Sequence, residues 1–120
     1  MTGPWAVVVT EEFEEWMMSL TDKQYAATQR AIDQLEQDGP ALGRPHVDTI
    51  RNSRFKNMKE LRVSSQGALR VLFAFDPTRR AVLLLGGDKS KDSQWNNWYV
   101  GAIQRADDLF EEHLCKIGEK

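Results

Sequence analysis

The order of apolar and polar positions in the first part of the chain predicts a strand followed by a helix. Residues 5–9 are apolar and mostly β-branched, which is typical of a strand. Thr10 is a suitable helix N-cap, and the glutamates after it favour the positive end of a helix dipole. Apolar side chains then recur at helical spacing, at Phe13, Trp16, Met17 and Leu20. We therefore expect a short amphipathic helix directly after the first strand.

A second helix is predicted to begin almost at once. Thr21 and Gln24 have the spacing of a capping box. Helical spacing continues through Tyr25, Thr28, Ile32 and Leu35. Gly39-Pro40 then ends the helix. The two helices are expected to form an α-hairpin with one apolar face and one acidic face.

The middle of the chain predicts a long loop and then a set of strands. Periodicity is lost over residues 39–57, and loops of this length commonly carry function. Three strand-like runs follow, at residues 59–63, 68–75 and 81–85. The segments between these runs are short enough to be hairpin turns, so the strands are expected to form an antiparallel meander.

A last helix is predicted after Gly86-Gly87. Its apolar stripe comprises Trp95, Trp98 or Tyr99, Ala102, Ala106, Leu109 or Phe110, and His113 or Leu114. The predicted order is β-α-α-β-β-β-α, within a single α+β domain spanning residues 1–120. The α-hairpin is expected to cover one face of the meander and to leave the other face free.

Composition narrows the class of protein. No segment approaches the roughly 18 consecutive apolar residues of a membrane span, and the early apolar run is too short for a signal peptide, so we expect a cytoplasmic protein without a membrane partner. Cys115 is the only cysteine, and we expect it in the core of the last helix. His46 and His113 lie far apart in sequence, and no nucleotide-binding motif is present, so no metal site or cofactor is expected.

Charge is strongly segregated along the sequence, although the net charge is only −2. Residues 44–91 carry eleven basic and four acidic side chains, a net charge of +7, while the rest carries five basic and fourteen acidic side chains, a net charge of −9. If the basic block forms a spatial patch, it favours RNA. The alternative is a solvated surface, because residues close in sequence need not form one patch.

The arginines in the predicted strands are the most specific feature of the block. Alternation places Glu60 and Arg62 on one face of their strand, and Leu61 and Val63 on the other, toward the helices. Arg70 is surrounded by apolar residues, so its charge needs a partner or a ligand. An ion pair from Glu60 to Arg62 or Arg70, and direct contact with a phosphate, are both open, and they are compatible.

The sequence resembles a known family at three runs: Met-Lys-Glu-Leu-Arg-Val (58–63), Leu-Arg-Val-Leu-Phe-Ala-Phe-Asp (69–76) and Ala-Val-Leu-Leu-Leu-Gly-Gly-Asp-Lys-Ser-Lys (81–91). Together with Trp98-Tyr99, Ala106 and Glu-His-Leu (112–114), they resemble the RelE/HigB toxin superfamily, and more narrowly its phage-derived HigB-like branch. The element order matches over almost the whole chain, and the motifs match over residues 58–114. The resemblance implies a RelE/ParE-like fold.

The resemblance also implies a function. Such proteins are toxins of type II toxin–antitoxin modules, which cut mRNA in the ribosomal A site and are neutralised by a partner, usually a helix-turn-helix antitoxin. The implied reaction needs no metal, because the substrate's own 2′-hydroxyl attacks the adjacent phosphate. Arg70 aligns with an arginine of the superfamily's third strand, and Lys89 falls where many members carry a basic residue. These two are the first choices for transition-state stabilisation, with Arg62 positioning a phosphate.

The remaining candidates follow from the same resemblance and from the basic block. The catalytic candidates are Arg70, Lys89, Arg62, Glu60, Asp88 and Tyr99. The candidates for RNA binding are Arg44, His46, Arg51, Arg54, Lys56, Lys59 and Lys91. His46, Asp88, Lys91 and Tyr99 are all open as general acid or base, and Tyr99 on its helix also suits the core. Two other functions stay open: a ParE-like toxin that inhibits DNA gyrase, and a catalytically silent RNA- or partner-binding member of the fold.

Overall fold

The computed structural model describes residues 5–90 and 95–118. Over these residues the chain forms five strands, β1 (Ala6–Val9), β2 (Val47–Thr49), β3 (Lys59–Val63), β4 (Leu69–Phe75) and β5 (Arg80–Asp88), three α-helices, α1 (Glu11–Met18), α2 (Asp22–Asp38) and α3 (Trp95–Lys116), and a 3₁₀ turn at Gly39–Ala41. The α+β fold class is as predicted, with one additional strand. None of the described helices is long and apolar enough to cross a membrane.

The strands form one sheet in the order β1-β5-β4-β3-β2. β3, β4 and β5 pair antiparallel, so the predicted meander is confirmed. β1 pairs with β5 in parallel, and its other side is an edge of the sheet. β2 forms the opposite edge, next to β3. The central strands β4 and β5 therefore lie between neighbours on both sides.

The prediction of an unbroken loop over residues 39–57 is wrong at its centre, where β2 pairs antiparallel with β3. Val47 of β2 is buried opposite Leu61, and Asp48 lies opposite Glu60. A three-residue strand with one apolar side chain is too short for alternation to be visible in sequence. The strand brings Asp48 to the edge of β3, next to Glu60 and Arg62.

The predicted starts of both hairpin helices are confirmed. The Thr10 hydroxyl accepts the N–H of Phe13 at 3.0 Å. In the capping box, the Thr21 hydroxyl accepts the Gln24 N–H and the Gln24 side chain accepts the Thr21 N–H, both at 3.1 Å. These bonds satisfy N–H groups that lack partners inside the helices. The hairpin covers one face of the sheet around a core of Phe13, Met17, Ile32, Leu35, Leu61, Val71, Phe73 and Leu83.

The prediction that the other face is free is wrong, because α3 packs against it. A second core joins Ala102, Ile103, Ala106, Leu109 and Phe110 of α3 to Leu72, Ala74, Val82 and Leu84 of the central strands. β4 and β5 are apolar at nearly every position, the pattern of strands buried on both faces. Cys115 is exposed, contrary to its expected core position, while the neighbouring Leu114 packs on the second core. Near Glu60 this face stays partly open at β2, β3 and the start of β4, where Asp48, Arg62 and Arg70 are partly exposed.

The turn between β4 and β5 is fastened to the last helix through Asp76. This buried carboxylate accepts hydrogen bonds from the backbone and hydroxyl of Thr78, from the backbone and guanidinium of Arg80, and from Nε2 of His113 at 2.7 Å. Burial by itself would raise the pKa of Asp76, but these bonds outweigh burial and lower the pKa to about 2.

Asp76→Asn should therefore reduce the pH dependence of the free energy of unfolding at acidic pH. A carboxyl with a lower pKa in the folded chain stabilises it above the unfolded-state pKa, and this contribution is lost as the pH falls through the folded-state pKa. We expect about 2 kcal/mol of unfolding free energy to be lost between about pH 4 and pH 2 in the wild type. Urea unfolding across this range measures the loss, and an equal loss in Asp76→Asn would contradict the assignment.

Candidate nucleic-acid site

The strand register places the predicted site residues in two rows across the sheet. Arg62 of β3 lies opposite Arg70 of β4, which lies opposite Gly87 of β5. In the adjacent row, Asp48 lies opposite Glu60. Directly opposite residues share a face, and alternation places both rows on the face that α3 covers in part. Two arginines and two carboxylates thus meet at the open part of this face.

Glu60 is the centre of the cluster and is only 7% exposed. Its Oε2 lies 2.9 Å from Nε of Arg62 and 3.7 Å from Nε of Arg70. Its Oε1 accepts a hydrogen bond of 2.7 Å from the Tyr99 hydroxyl of α3. The ion pair considered from the sequence is present, and it joins Glu60 to both arginines. Since two like charges placed directly opposite each other repel, Glu60 is what allows Arg62 and Arg70 to share a row.

Tyr99 is held in this cluster as a hydrogen-bond donor. Burial raises the pKa of its hydroxyl, and the hydrogen bond to the Glu60 carboxylate raises it further, well above the usual value for tyrosine. The hydroxyl therefore keeps its proton at neutral pH. From the sequence, Tyr99 was both a catalytic candidate and a candidate for the core. Its ring packs against the second core, while its hydroxyl reaches the arginine cluster.

Asp48 extends the cluster to the exposed loop before β2. It accepts hydrogen bonds from Nη2 of Arg62 at 3.1 Å and from Nε and Nη2 of Arg44 at 3.2 and 3.1 Å. The bond from Arg44, followed by that from the Thr49 N–H, lowers the pKa of Asp48. The bond to Glu60 raises the pKa of Arg62, so this guanidinium stays charged. Sequence reasoning missed Asp48 because β2 itself was not visible.

The ends of β4 and β5 form the sheet surface beside Arg70. A Cβ atom on Gly87 would lie 2.6 Å from the ring of Trp98, so a side chain at this position would displace the ring. Lys89 follows the end of β5 in a turn, where its N–H bonds to the Ala68 carbonyl at 2.8 Å and its side chain is exposed. Asp88 points to the opposite face and accepts bonds from the N–H and hydroxyl of Ser90. The structure thus places Lys89 in the turn beside the start of β4 and keeps Asp88 away from the arginines.

The long basic loop contacts α3 through ion pairs and a hydrogen bond of Arg54. Arg54 forms ion pairs with Asp108 and Glu111 at 3.2 and 2.8 Å, and its N–H bonds to Asp107. At 1.5 Å per residue, these acids lie roughly 15 Å along the helix from Tyr99, so Arg54 is not part of the cluster. The pairing of Arg54 with acids outside the basic block removes some of the positive charge that the sequence suggested.

The other RNA-binding candidates are distributed around the cluster. Arg51 and Lys56 are exposed in the loop. Lys59 lies on the opposite face from Glu60, with its Nζ 3.4 Å from the Thr49 hydroxyl. His46 lines a groove of about 320 Å³ together with Arg62. Lys91 lies outside the described residues.

Sequence comparison places the chain among phage-derived proteins. The family described as "Phage derived protein Gp49-like (DUF891)" matches residues 15–111. Two relatives in Mycobacterium tuberculosis are named as toxins: HigB2, 48% identical over 89% of this chain and 53% of its own length, and HigB3, 47% identical over 92% of this chain and 94% of its own length. The chain thus spans about half the length of HigB2 and nearly all of HigB3.

The fold matches solved structures of RelE toxins. The RelBE2 toxin–antitoxin complex of M. tuberculosis contains a chain with a TM-score of 0.59 and 17% identity, over 76% of this chain and 98% of that one. The isolated Escherichia coli RelE toxin gives a TM-score of 0.60 and 11% identity, over 82% of this chain and 98% of that one. At these identities the likeness shows the fold alone. With the family match and the two HigB relatives, it means that the chain belongs to the Gp49-like, phage-derived branch of the RelE/HigB toxin superfamily.

Proposed function

We propose that this chain is the toxin of a toxin–antitoxin pair and that it acts as an endoribonuclease on mRNA. The names of its relatives support the first statement. The observation that carries the second is the cluster in which Glu60 holds Arg62 and Arg70 side by side. Two oriented guanidinium groups on a partly open sheet face suit the oxygens of a phosphodiester.

In the proposed reaction the 2′-hydroxyl oxygen of the substrate attacks the adjacent phosphorus, and the bond from phosphorus to the 5′-oxygen breaks. The 2′-hydroxyl loses its proton to a general base, and the leaving 5′-oxygen takes up a proton from a general acid. The products are a 2′,3′-cyclic phosphate and a 5′-hydroxyl. Negative charge increases on the phosphate oxygens in the transition state, where fixed N–H donors stabilise it.

The geometry supports different roles for the basic residues. The Arg70 side chain is 15% exposed, so its charge is less screened by water, and we assign it to the transition state. The Arg62 side chain is 35% exposed and uses Nε and Nη2 for Glu60 and Asp48, which leaves other N–H donors for a neighbouring phosphate. Lys89 is exposed in the turn beside the start of β4, and we assign it to the site as a third cation.

We assign proton transfer to His46. Histidine commonly acts as a general acid or base, and His46 is next to Arg62, whose N–H bonds to the His46 carbonyl at 2.7 Å. Tyr99 keeps its proton, and Glu60 already accepts hydrogen bonds from Arg62 and Tyr99 and pairs with Arg70, so both act as positioning residues. Asp88 faces away from the cluster and has no role in this proposal.

The family supports a proposal for the partner and for the substrate. The M. tuberculosis RelE homologue was solved as a toxin–antitoxin complex, and we propose that an antitoxin, of the helix-turn-helix class that the sequence resemblance implies, neutralises this chain in the same way. We further propose that the substrate is mRNA on the ribosome, which places the activity in the cytoplasm. Arg51 and Lys56 are exposed and available for the RNA backbone, and Arg44 is exposed but pairs with Asp48, whereas Arg54 has a structural role.

Controlled expression tests the proposal. Induction of the wild-type chain should arrest growth and translation and leave cut mRNA, and Arg70→Ala or Lys89→Ala should relieve the arrest. Intact mRNA together with DNA damage signalling would instead indicate the gyrase-inhibiting alternative. Tight binding of RNA without new 5′-hydroxyl ends would indicate a catalytically silent protein.

Tyr99→Phe should reduce turnover without abolishing it. The substitution removes the hydrogen bond that orients Glu60, so we expect about 1 kcal/mol of lost stability and a roughly tenfold lower kcat, with KM little changed. Steady-state cleavage of an RNA oligonucleotide measures both constants. Loss of the entire activity, with a change in the shape of the pH–rate profile, would mean that Tyr99 transfers protons directly.

A further inference from the structure

A groove of about 320 Å³ lies between α2 and β3, on the face of the sheet that the α-hairpin covers. On the side of β3 it is lined by Leu61 and Val63, whose side chains point away from the arginine cluster. On the side of α2 it is lined by Ala27 and Ala31, which lie one helical turn apart on the same helix face. The groove therefore combines an apolar interior with a position close to β3.

The charged side chains that line this groove are all basic. Its polar lining, among the described residues, comprises Arg30, Gln34, His46, Arg62, Ser64 and Ser65. Arg62 pairs with Glu60 and Asp48 on the α3 side, whereas Arg30 is exposed and makes no ion pair with any residue that the structure describes. A cation without a carboxylate partner, next to neutral hydrogen-bond donors, favours an anionic occupant.

The groove begins where the row of the arginine cluster ends. Arg70 lies opposite Arg62, and the Arg62 N–H bonds to the His46 carbonyl at 2.7 Å. β2 begins only at Val47, so His46 lies at the margin of the sheet, and both it and Arg62 line the groove. An RNA strand that leaves the cluster past His46 therefore reaches the groove directly.

We propose that this groove, the α2–β3 groove, binds the single-stranded RNA that flanks the scissile phosphate. Arg30 contacts a phosphate of the flanking nucleotides, the hydroxyls of Ser64 and Ser65 bond to the sugar–phosphate backbone, and the apolar interior contacts a ribose or base. A single strand can pass from one face of the sheet to the other at His46, whereas a double helix is too stiff to do so.

This inference rests on the proposed function, because the arginine cluster is where the RNA is cleaved. It adds a second region of contact with the substrate, on the opposite face of the sheet from the cluster. The reaction itself does not require the α2–β3 groove, so the two regions can be tested separately. A short RNA that occupies only the cluster should not detect the groove, whereas a longer one should.

Titration of the isotope-labelled full chain with two 2′-O-methyl oligonucleotides tests the proposal. The methyl group blocks attack by the 2′-hydroxyl, so a dinucleotide and a hexanucleotide both stay intact. We expect both to shift the amide of Arg70, and only the hexanucleotide to shift the amides of Ala31 and Ser64. The hexanucleotide should bind about tenfold tighter or more at low salt, because it carries more phosphates and contacts more cations.

Variants in the groove should affect only the longer oligonucleotide. Arg30→Glu should weaken hexanucleotide binding by about tenfold and reduce its dependence on salt, because a phosphate contact is lost. Ala31→Leu narrows the groove at a partly exposed position without changing charge, and should weaken hexanucleotide binding as well. Lys23→Glu, the matched charge reversal at an exposed position of α2 outside the groove lining, should bind both oligonucleotides as the wild type does.

The proposal is overturned if neither oligonucleotide binds by about 1 mM, if the two bind equally well, or if Arg30→Glu and Ala31→Leu leave hexanucleotide binding unchanged. Amide shifts by the hexanucleotide that are absent from α2 would also overturn it. Cleavage of mRNA on ribosomes, with Arg70→Ala as the inactive comparison, tests the nuclease without reference to the groove. Failure of the groove and failure of the proposed function are therefore distinguishable.

Discussion

Arg70→Ala should lower the rate of RNA cleavage by about 100-fold or more while the chain remains folded. Its guanidinium is the less exposed of the two opposed arginines, and it lies beside Glu60 in the row that ends at Gly87. Charge stabilisation in a partly buried site depends on such fixed donors. The loss should appear in kcat more than in KM, because the contact strengthens as charge accumulates on the phosphate.

Matched variants separate this effect from a general loss of positive charge. Arg70→Lys keeps the charge but loses the planar set of donors, so it should recover only part of the rate. Lys23→Ala removes a cation from an exposed position of α2 and should cleave at the wild-type rate. Full cleavage by Arg70→Ala, with thermal unfolding unchanged, would remove Arg70 from the reaction.

Glu60→Gln should have the largest combined effect on stability and activity. The substitution leaves an acceptor for Tyr99 but removes the negative charge between Arg62 and Arg70. A partly buried charge that loses its partner costs about 3 kcal/mol, and the two guanidinium groups would then repel each other. We expect lower stability together with strongly reduced kcat, since both cations move from their positions.

A double substitution distinguishes the positioning role of Glu60 from catalysis. Glu60→Gln combined with Arg62→Gln removes one of the repelling charges, so stability should recover by about 1–2 kcal/mol relative to Glu60→Gln alone. Cleavage should not recover, because a phosphate-binding group is also lost. Additive stability changes in this cycle would show that Glu60 and Arg62 do not interact energetically.

Much of the fold was predictable because its signals are local. Thr10 and the capping box at Thr21 determine where helices begin, and these positions are read directly from the sequence. The short turns of the meander likewise fix which strands are neighbours. Alternation on β3 placed Glu60 and Arg62 correctly on one face, which is why the ion pairs of the cluster could be anticipated.

The features that were missed depend on contacts between distant parts of the chain. β2 has a single buried apolar side chain, so it forms only because β3 provides its partner. Arg54 was grouped with other basic residues of the loop, but α3 supplies Asp108 and Glu111 to neutralise it. β4 and β5 are apolar on both faces, so α3 is needed to cover the second face. This pattern is visible in the sequence, and the prediction of a free face did not take it into account.

Sequencing of RNA 5′ ends after incubation of the purified chain with ribosomes translating a defined mRNA tests the central claim most directly. The proposed reaction predicts new 5′-hydroxyl ends within the coding region, upstream fragments that carry 2′,3′-cyclic phosphates, and far less of both products with Arg70→Ala. New ends that carry a 5′-phosphate would contradict attack by the substrate's 2′-hydroxyl. Intact mRNA alongside growth arrest in cells would contradict the assignment as an endoribonuclease.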